Sequence, residues 1–306
     1  FLRYIDAHNA NEPFSQEAQK YWMPVDIYIG GAEHTVGHLL YARFWQKVLF
    51  DCGLVSHDEP FKKLAHQGLV LGPDGEKMSK SRGNTVNPDE VRDQFGADAA
   101  RMYICFMGPF DKDKPWATNG IDGVRRFLDR VWRLVSNDEG QIIADNSQPV
   151  PAEIEKLLHK TIKKITENIE TLSFNTSVSQ MMILVNELYR LNIRPQSVLL
   201  TLSQLMMPFA PHLAEEIWNK LGGQGLVSLA PWPVFNPQLC VDDTVTMGVQ
   251  VNGKMRGTVE IAVDASESTA VEEALKLATV VHAMNGKSAD KVIYKAGKIL
   301  NLIVKA

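Results

Sequence analysis

The sequence predicts an α/β segment built on buried parallel strands, then an all-α helix bundle, then a small α+β domain, with boundaries at residues 1–115, 116–236 and 237–306. Three observations carry this. Short apolar runs that stop at or start from glycine, residues 25–30 and 68–71, flank a stretch of helical spacing. From about Asn119 to Leu221 apolar residues recur at helical spacing with few interruptions. Beyond Pro231-Trp232-Pro233, Asn236-Pro237 and Asp242-Asp243, the pattern changes to alternating runs joined by Asn252-Gly253, the two-residue turn of a β-hairpin.

Composition sets the class. With 306 residues, 45% hydrophobic and 22% charged, the chain reads as a soluble globular protein of about two or three domains. No run approaches the ~18 apolar residues of a membrane helix, and Phe1-Leu2-Arg3-Tyr4-Ile5-Asp6 lacks the apolar core of a signal peptide. The expectation is a cytoplasmic protein with no membrane partner. Cys52, Cys105 and Cys240 are scattered and form no CxxC pair, so neither a disulfide framework nor a thiolate zinc site is expected. A net charge of −4 is not the balance of a protein that holds nucleic acid by bulk charge, so any RNA contact is local. The chain begins without Met and in mid-pattern, as an excerpt of a larger protein would.

Taken in order, Val25-Asp26-Ile27-Tyr28-Ile29-Gly30 reads as a strand ending in the tight turn Gly30-Gly31. Leu39, Leu40, Phe44, Val48 and Leu49 follow as a helix closed by Gly53. Gly68-Leu69-Val70-Leu71 is the next strand. This order belongs to a doubly wound parallel sheet, whose ligands sit at the carboxyl ends of strands. The first turn carries Glu33, His34 and His38, the two histidines four apart and hence on one face of a starting helix. Three readings stand. A metal pair wants a further ligand, and Glu33 precedes both histidines where an HExxH site places its Glu between them. The histidines are otherwise core or capping groups, or they shape a ligand pocket in which Glu33 accepts from ribose hydroxyls.

After the second strand comes Lys77-Met78-Ser79-Lys80-Ser81, between Gly72-Pro73-Asp74-Gly75 and Arg82-Gly83-Asn84. Two ammonium groups and two hydroxyls share five residues, with little bulk to hold the loop rigid. Lysines on flexible stems follow a phosphate whose geometry changes during reaction, which suits triphosphate chemistry. The alternative is a solvated Lys/Ser turn. Pro88-Asp89-Glu90 then starts a helix, Gly96-Ala97-Asp98 caps the next, and Gly108-Pro109 ends it.

In the bundle, Val124, Phe127, Leu128, Val131, Leu134 and Val135 form one stripe with Arg126, Arg130 and Arg133 opposite. The alternative for these arginines is an exposed face with i,i+4 partners such as Asp129. Residues 136–150 read as a loop. Further helices are marked by Ile154 to Ile169, Val178 to Leu188, Val198 to Met206, and residues 211–221, with the methionines as core filler. The last domain reads as a hairpin over residues 244–263, a helix over 269–277 and a second hairpin around Gly297, with Lys254 and Arg256 beside the first turn.

The lysine run matches the KMSKS signature of class I aminoacyl-tRNA synthetases letter for letter. By average residue usage that string arises by chance in such a chain only about once in ten thousand. Tyr21-Trp22-Met23-Pro24 through Glu33-His34, His38-Leu39-Leu40-Tyr41-Ala42-Arg43-Phe44, Asp58-Glu59-Pro60-Phe61, Phe95-Gly96-Ala97-Asp98, Ala210-Pro211-His212 and Val249-Gln250-Val251-Asn252-Gly253-Lys254 resemble bacterial leucyl-tRNA synthetases, in family order. The resemblance implies the second half of a Rossmann-like catalytic domain, an anticodon-binding-type bundle and a small tRNA-binding domain. It implies a leucine–tRNA ligase that makes leucyl-adenylate from leucine and ATP with Mg²⁺ and transfers leucine to tRNA(Leu). Lys77 and Lys80 would be catalytic. Lys77, Met78, Ser79, Lys80, Ser81, Gly30, Gly31, Glu33, Leu69 and Val70 would bind ATP, and His34 and His38 would line the leucine pocket. Arg126, Arg130, Arg133, Lys254 and Arg256 would contact tRNA; no protein-bound metal is implied. Val36-Gly37-His38 is not the HIGH motif, since the first His would fall on Thr35. That motif and the editing domain belong to a missing amino-terminal half, a partner without which the chain is expected to be inactive. Only Gly72 to Glu76 separate the strand from Lys77, so the insertion that some relatives carry there is absent. The alternative function is a non-catalytic tRNA-binding or assembly subunit of a split synthetase.

Overall fold

Ser15 opens the first α-helix, its hydroxyl accepting from the Ala18 amide at 3.2 Å, and α1 (Gln16–Trp22) follows a short 3₁₀ turn at Leu2–Asp6. The computed structural model describes residues 1–241 and 244–305, so the Asp242-Asp243 part of the expected boundary lies outside the described residues. Contacts divide the chain into two compact units, Phe1–Phe235 and Asn236–Ala306.

In the first unit the apolar run before Gly30-Gly31 becomes β1 (Tyr28–Gly31). Leaving it, the chain makes a 3₁₀ turn, Ala32–His34, and a π-type turn, Thr35–Leu39, before α2 (Leu40–Asp51). Gly53, φ +72°, ends that helix in the left-handed region that glycine enters without strain. The strand β2 (Leu64–Gln67) lies parallel to β1, with Gly30 opposite His66 and Gly31 opposite Gln67. Leu-Ala-His-Gln carries no β-branched or aromatic residue, which is why pattern alone passed over it. The expected strand at residues 68–71 is shorter: β3 (Val70–Leu71) pairs in parallel with β4 (Lys114–Pro115), and Gly68 bends past Lys112 so closely that a Cβ would overlap the Lys112 carbonyl.

α3 (Pro88–Phe95) begins at Asn87, which accepts from the Asp89 amide, and α4 (Ala97–Phe106) follows Gly96. Then come α5 (Thr118–Val135), α6 (Ala152–Glu170), α7 (Phe174–Arg190), α8 (Gln196–Met206) and α9 (Pro211–Lys220). Their apolar stripes close one core that also takes in Val91, Phe95 and Met102 from α3 and α4. The Tyr103 hydroxyl donates to the Ala117 carbonyl at 2.8 Å and accepts from the Ala117 amide at 3.1 Å, pinning the start of α5 to α4. Met181 and Met206 are fully buried within this core. Met78, inside the lysine run, and Val86, just beyond it, pack against this core.

The second unit folds around a four-stranded sheet. Its strands are β5 (Thr244–Val251), β6 (Lys254–Ala262), β7 (Lys291–Lys295) and β8 (Ile299–Ile303), in the order β6-β5-β8-β7. β5 and β8 are parallel, the other pairs antiparallel. Asn252 (φ +51°) and Gly253 (φ +77°) supply the two positive φ values that a type I′ hairpin needs. α10 (Glu267–Leu275) starts two residues before its expected position because Ser266 caps it, and the unforeseen α11 (Ala278–Met284) places Val280 and Met284 in the core. Among the described residues no helix is long and apolar enough to cross a membrane, and no cluster of His, Cys, Asp and Glu could hold a metal ion.

Candidate functional site

The lysine loop leaves β3 as a tight reversal. The Gly72 amide donates to the Glu76 carbonyl at 2.8 Å, and Lys77 bridges back to Leu71. Hydrogen bonds, where bulk is lacking, then hold it in shape. Asn84 accepts from the Ser79 amide at 2.8 Å and donates to the Asp74 carboxylate at 3.0 Å and to the Lys77 carbonyl at 3.3 Å. The Asn84 bond keeps the Asp74 carboxyl below the usual carboxylate range. Ser79 and Ser81 share a hydroxyl–hydroxyl bond at 2.8 Å, Arg82 pairs with Glu76 at 3.2 Å, and Gly83 (φ +67°) closes the 3₁₀ turn Lys80–Arg82. Among the described residues Lys77 and Lys80 form no ion pair, and both are exposed. The loop therefore offers two ammonium charges on a braced frame. Asp74 and Asn84 went unassigned in the sequence reading, although both flank the motif.

Gly30 and Gly31 end β1 against His66 and Gln67 of β2. His66 Nδ1 lies 3.1 Å from the Gly30 carbonyl; since a carbonyl only accepts, that ring nitrogen carries the proton. The exposed Glu33 carboxylate folds back over Gly31, where a Cβ would overlap it. The expectation that His34 and His38 share a helical face is corrected here. Gly37 (φ −111°, ψ −108°) breaks the turn and the regular helix starts only at Leu40. Both histidines are exposed, but only His38 stacks on Tyr28, with ring centroids 5.6 Å apart, and meets its hydroxyl at 3.0 Å. Leu69 and Val70 line a cavity of about 370 Å³ that also takes in Cys105 and Lys114. Burial pushes the Cys105 thiol up and the Lys114 ammonium down. The structure thus joins Gly30 and Gly31 to β2, and joins β3 to Lys77; no hydrogen bond among the described residues ties the lysine loop to Glu33 or His34.

On α5 the arginines divide by partner. Arg125 takes Asp129 at 3.1 Å and the Phe95 carbonyl at 2.9 Å. Arg126, Arg130 and Arg133 pair with no carboxylate among the described residues, so Asp129 is not their counter-ion. Arg130 donates to Asn186 at 2.9 Å and lies over the Tyr189 ring at 4.6 Å, which fixes its fork. In the second unit Lys254 and Arg256 are exposed on β6 beside the Asn252-Gly253 turn.

Residues 7–117 match the family described as tRNA synthetases class I (I, L, M and V), and residues 152–272 match the anticodon-binding domain of tRNA ligase. The whole chain aligns with a leucine–tRNA ligase of Bdellovibrio bacteriovorus at 67% identity, covering 38% of that protein. It aligns with one of Chloroherpeton thalassium at 49%, again covering 38%. Among solved structures, a leucyl-tRNA synthetase of Agrobacterium radiobacter K84, in a ternary complex with tRNA and LeuAMS, superposes with a TM-score of 0.79 at 34% identity, over all of this chain and 41% of that one. A Mycobacterium tuberculosis methionyl-tRNA synthetase shares the fold over 66% of the chain and 45% of its own length, at 16% identity and TM-score 0.52. The chain spans about two fifths of the length of the curated relatives it matches. From its first strand to its last the chain is thus similar to one portion of the leucine–tRNA ligases, and its two matched segments are those of class I tRNA synthetases and their anticodon-binding domain.

Proposed function

We propose that this chain is the carboxy-terminal portion of a leucine–tRNA ligase acting in the cytoplasm, which activates leucine with ATP and Mg²⁺ and esterifies tRNA(Leu). One observation carries the reading: Lys77 and Lys80, with no ion pair among the described residues, stand on a loop braced by Asn84 and seated at the end of a parallel strand. Preorganised cations aimed at an anionic ligand cost little reorganisation when charge moves. As the leucine carboxylate attacks the α-phosphate and pyrophosphate leaves, the two ammonium groups offset the charge on the departing phosphates. Ser79 and Ser81 order the loop or bond the phosphates. Gly30 and Gly31 let the ribose approach the backbone, Glu33 accepts from its hydroxyls, and the Leu69–Val70 backbone faces adenine. His34 and Tyr28-stacked His38 border the leucine site. No general base is needed, since a free carboxylate is ionised near neutral pH. Arg126, Arg130, Arg133, Lys254 and Arg256 dock tRNA phosphates, and tRNA(Leu) is the RNA partner.

The remaining part of the ligase is the other partner. A two-stranded parallel pair is not a finished sheet, because parallel sheets are covered on both faces. Leucine-dependent exchange between ATP and pyrophosphate tests the function. The chain alone is expected to be silent, and the full-length ligase with Lys80→Ala to lose at least about 100-fold in rate. Full exchange by that variant would remove the catalytic role. Restored exchange on mixing this chain with the remainder would favour a catalytic half over an assembly subunit.

A further inference from the structure

Glycine inside a helix weakens it, and a fold retains one there when something needs the space. α5 has two glycines, Gly120 and Gly123, both in its first turns. Gly120 is accounted for: a Cβ would press on the Tyr103 ring at 2.7 Å. At Gly123 a Cβ would meet nothing within 4 Å. The vacant space is a cavity of about 310 Å³ lined by Gly123, Arg126, Phe127, Arg130, Met182 and Asn186.

Its chemistry is specific. Arg126 and Arg130 stand one turn apart, about 6 Å along the axis, close to the separation of successive phosphates on one RNA strand. Neither has a carboxylate partner among the described residues. Arg130 is held by Asn186 and Tyr189, while Arg126 donates to the Asp122 carbonyl at 3.3 Å. Between them the floor is apolar, buried Phe127 and half-buried Met182. Because a guanidinium only donates, Asn186 faces Arg130 with its oxygen. Its NH₂ has no partner among the described residues and is left to donate.

We infer that this cavity is a seat for one ribose of a structured RNA. The two flanking phosphates lie on Arg126 and Arg130, the sugar rests over Gly123 on Phe127 and Met182, and the Asn186 amide donates to the 2′-hydroxyl, the group that separates RNA from DNA. This rests on the reading that α5 docks tRNA, and it adds the unit that is bound.

The test titrates the 306-residue chain with a tRNA(Leu) transcript over a salt series, alongside Gly123→Leu, Gly123→Ala, Asn186→Ala and Arg130→Gln. Gly123→Leu is expected to bind at least about tenfold more weakly, with the slope of log K against log salt reduced by about two. Gly123→Ala has room for its methyl in the free protein, so its melting temperature rises, while RNA binding falls about threefold. Asn186→Ala is expected to narrow the preference for RNA over a DNA copy of the same sequence. If both Gly123 variants bind as the parent does while Arg130→Gln is weakened, the ribose seat is overturned and arginine docking stands. If the parent chain shows no salt-dependent binding, the docking reading falls and takes the seat with it.

Discussion

Asn84 reaches three backbone or side-chain partners and so turns a five-residue motif into a defined shape, with Asp74 as its anionic anchor. The motif's lysines were legible because their letters are rare in that order. The brace was not, because an Asn and an Asp ten residues apart look like ordinary turn formers until the chain reverses. His66 was missed for a similar reason, since only strand pairing brings it to Gly30. A second exposed site has a pH signature. Arg43 on α2 bonds both Glu59 oxygens, at 2.8 and 2.5 Å, and Lys47 reaches the same carboxylate at 3.0 Å. The Arg43 bond lowers the Glu59 carboxyl from 4.5 to about 2. With the folded value below the unfolded one, its stabilisation is complete above about pH 4.5 and fades as pH falls toward about 2. Glu59→Gln is therefore expected to cost about 1 kcal/mol or less at pH 7, because the pair is exposed and screened. Melting curves of variant and parent should converge in acid; a gap of constant size would assign the effect to packing.

At the scale of elements, α2 is built inside out. It buries Ala42 and Gln46, the latter donating to the His57 carbonyl at 2.7 Å. Leu40, Tyr41, Phe44 and Trp45 stay 54 to 64% exposed. Such a contiguous apolar surface marks an interaction face, and it lies on the helix that connects the two strands of the unfinished β1·β2 pair. Replacing Phe44 and Trp45 by Glu is expected to weaken association with the rest of the ligase at least about tenfold, read by titration calorimetry. The melting temperature of the chain itself should hold. An unchanged affinity would place the docking face elsewhere. Sequence periodicity recognised α2 as a helix but could not tell which face was covered, because its large apolar residues Leu40, Phe44 and Trp45 are the exposed ones. The bundle helices were far more legible: Val124, Leu128, Val131 and Leu134, read as one stripe, are all buried. Strand β2 and helix α11 were illegible because each is short and owes its form to neighbours.

At the scale of the molecule, each unit closes its own core, one containing Leu184 and the other Leu302, both fully buried. Unfolding is accordingly expected in two calorimetric steps, outside the two-state approximation. Leu302→Ala should lower one step and Leu184→Ala the other, each by about 2–5 kcal/mol. A single transition displaced by both would refute independent cores. The presence of both helical and sheet-forming stretches was readable from changes in hydrophobic period, but the core shared by α3, α4 and the bundle was not, since it is made by contacts distant in sequence.

That shared interior has a mechanical result. Met78 and Val86 rest on it, so the compliance of the lysine loop is set by helices much later in the chain. Softening the bundle with Leu184→Ala should slacken Ser79 as well, visible as faster hydrogen exchange of its amide. A defect remote from the phosphates would then register as a weaker grip upon them.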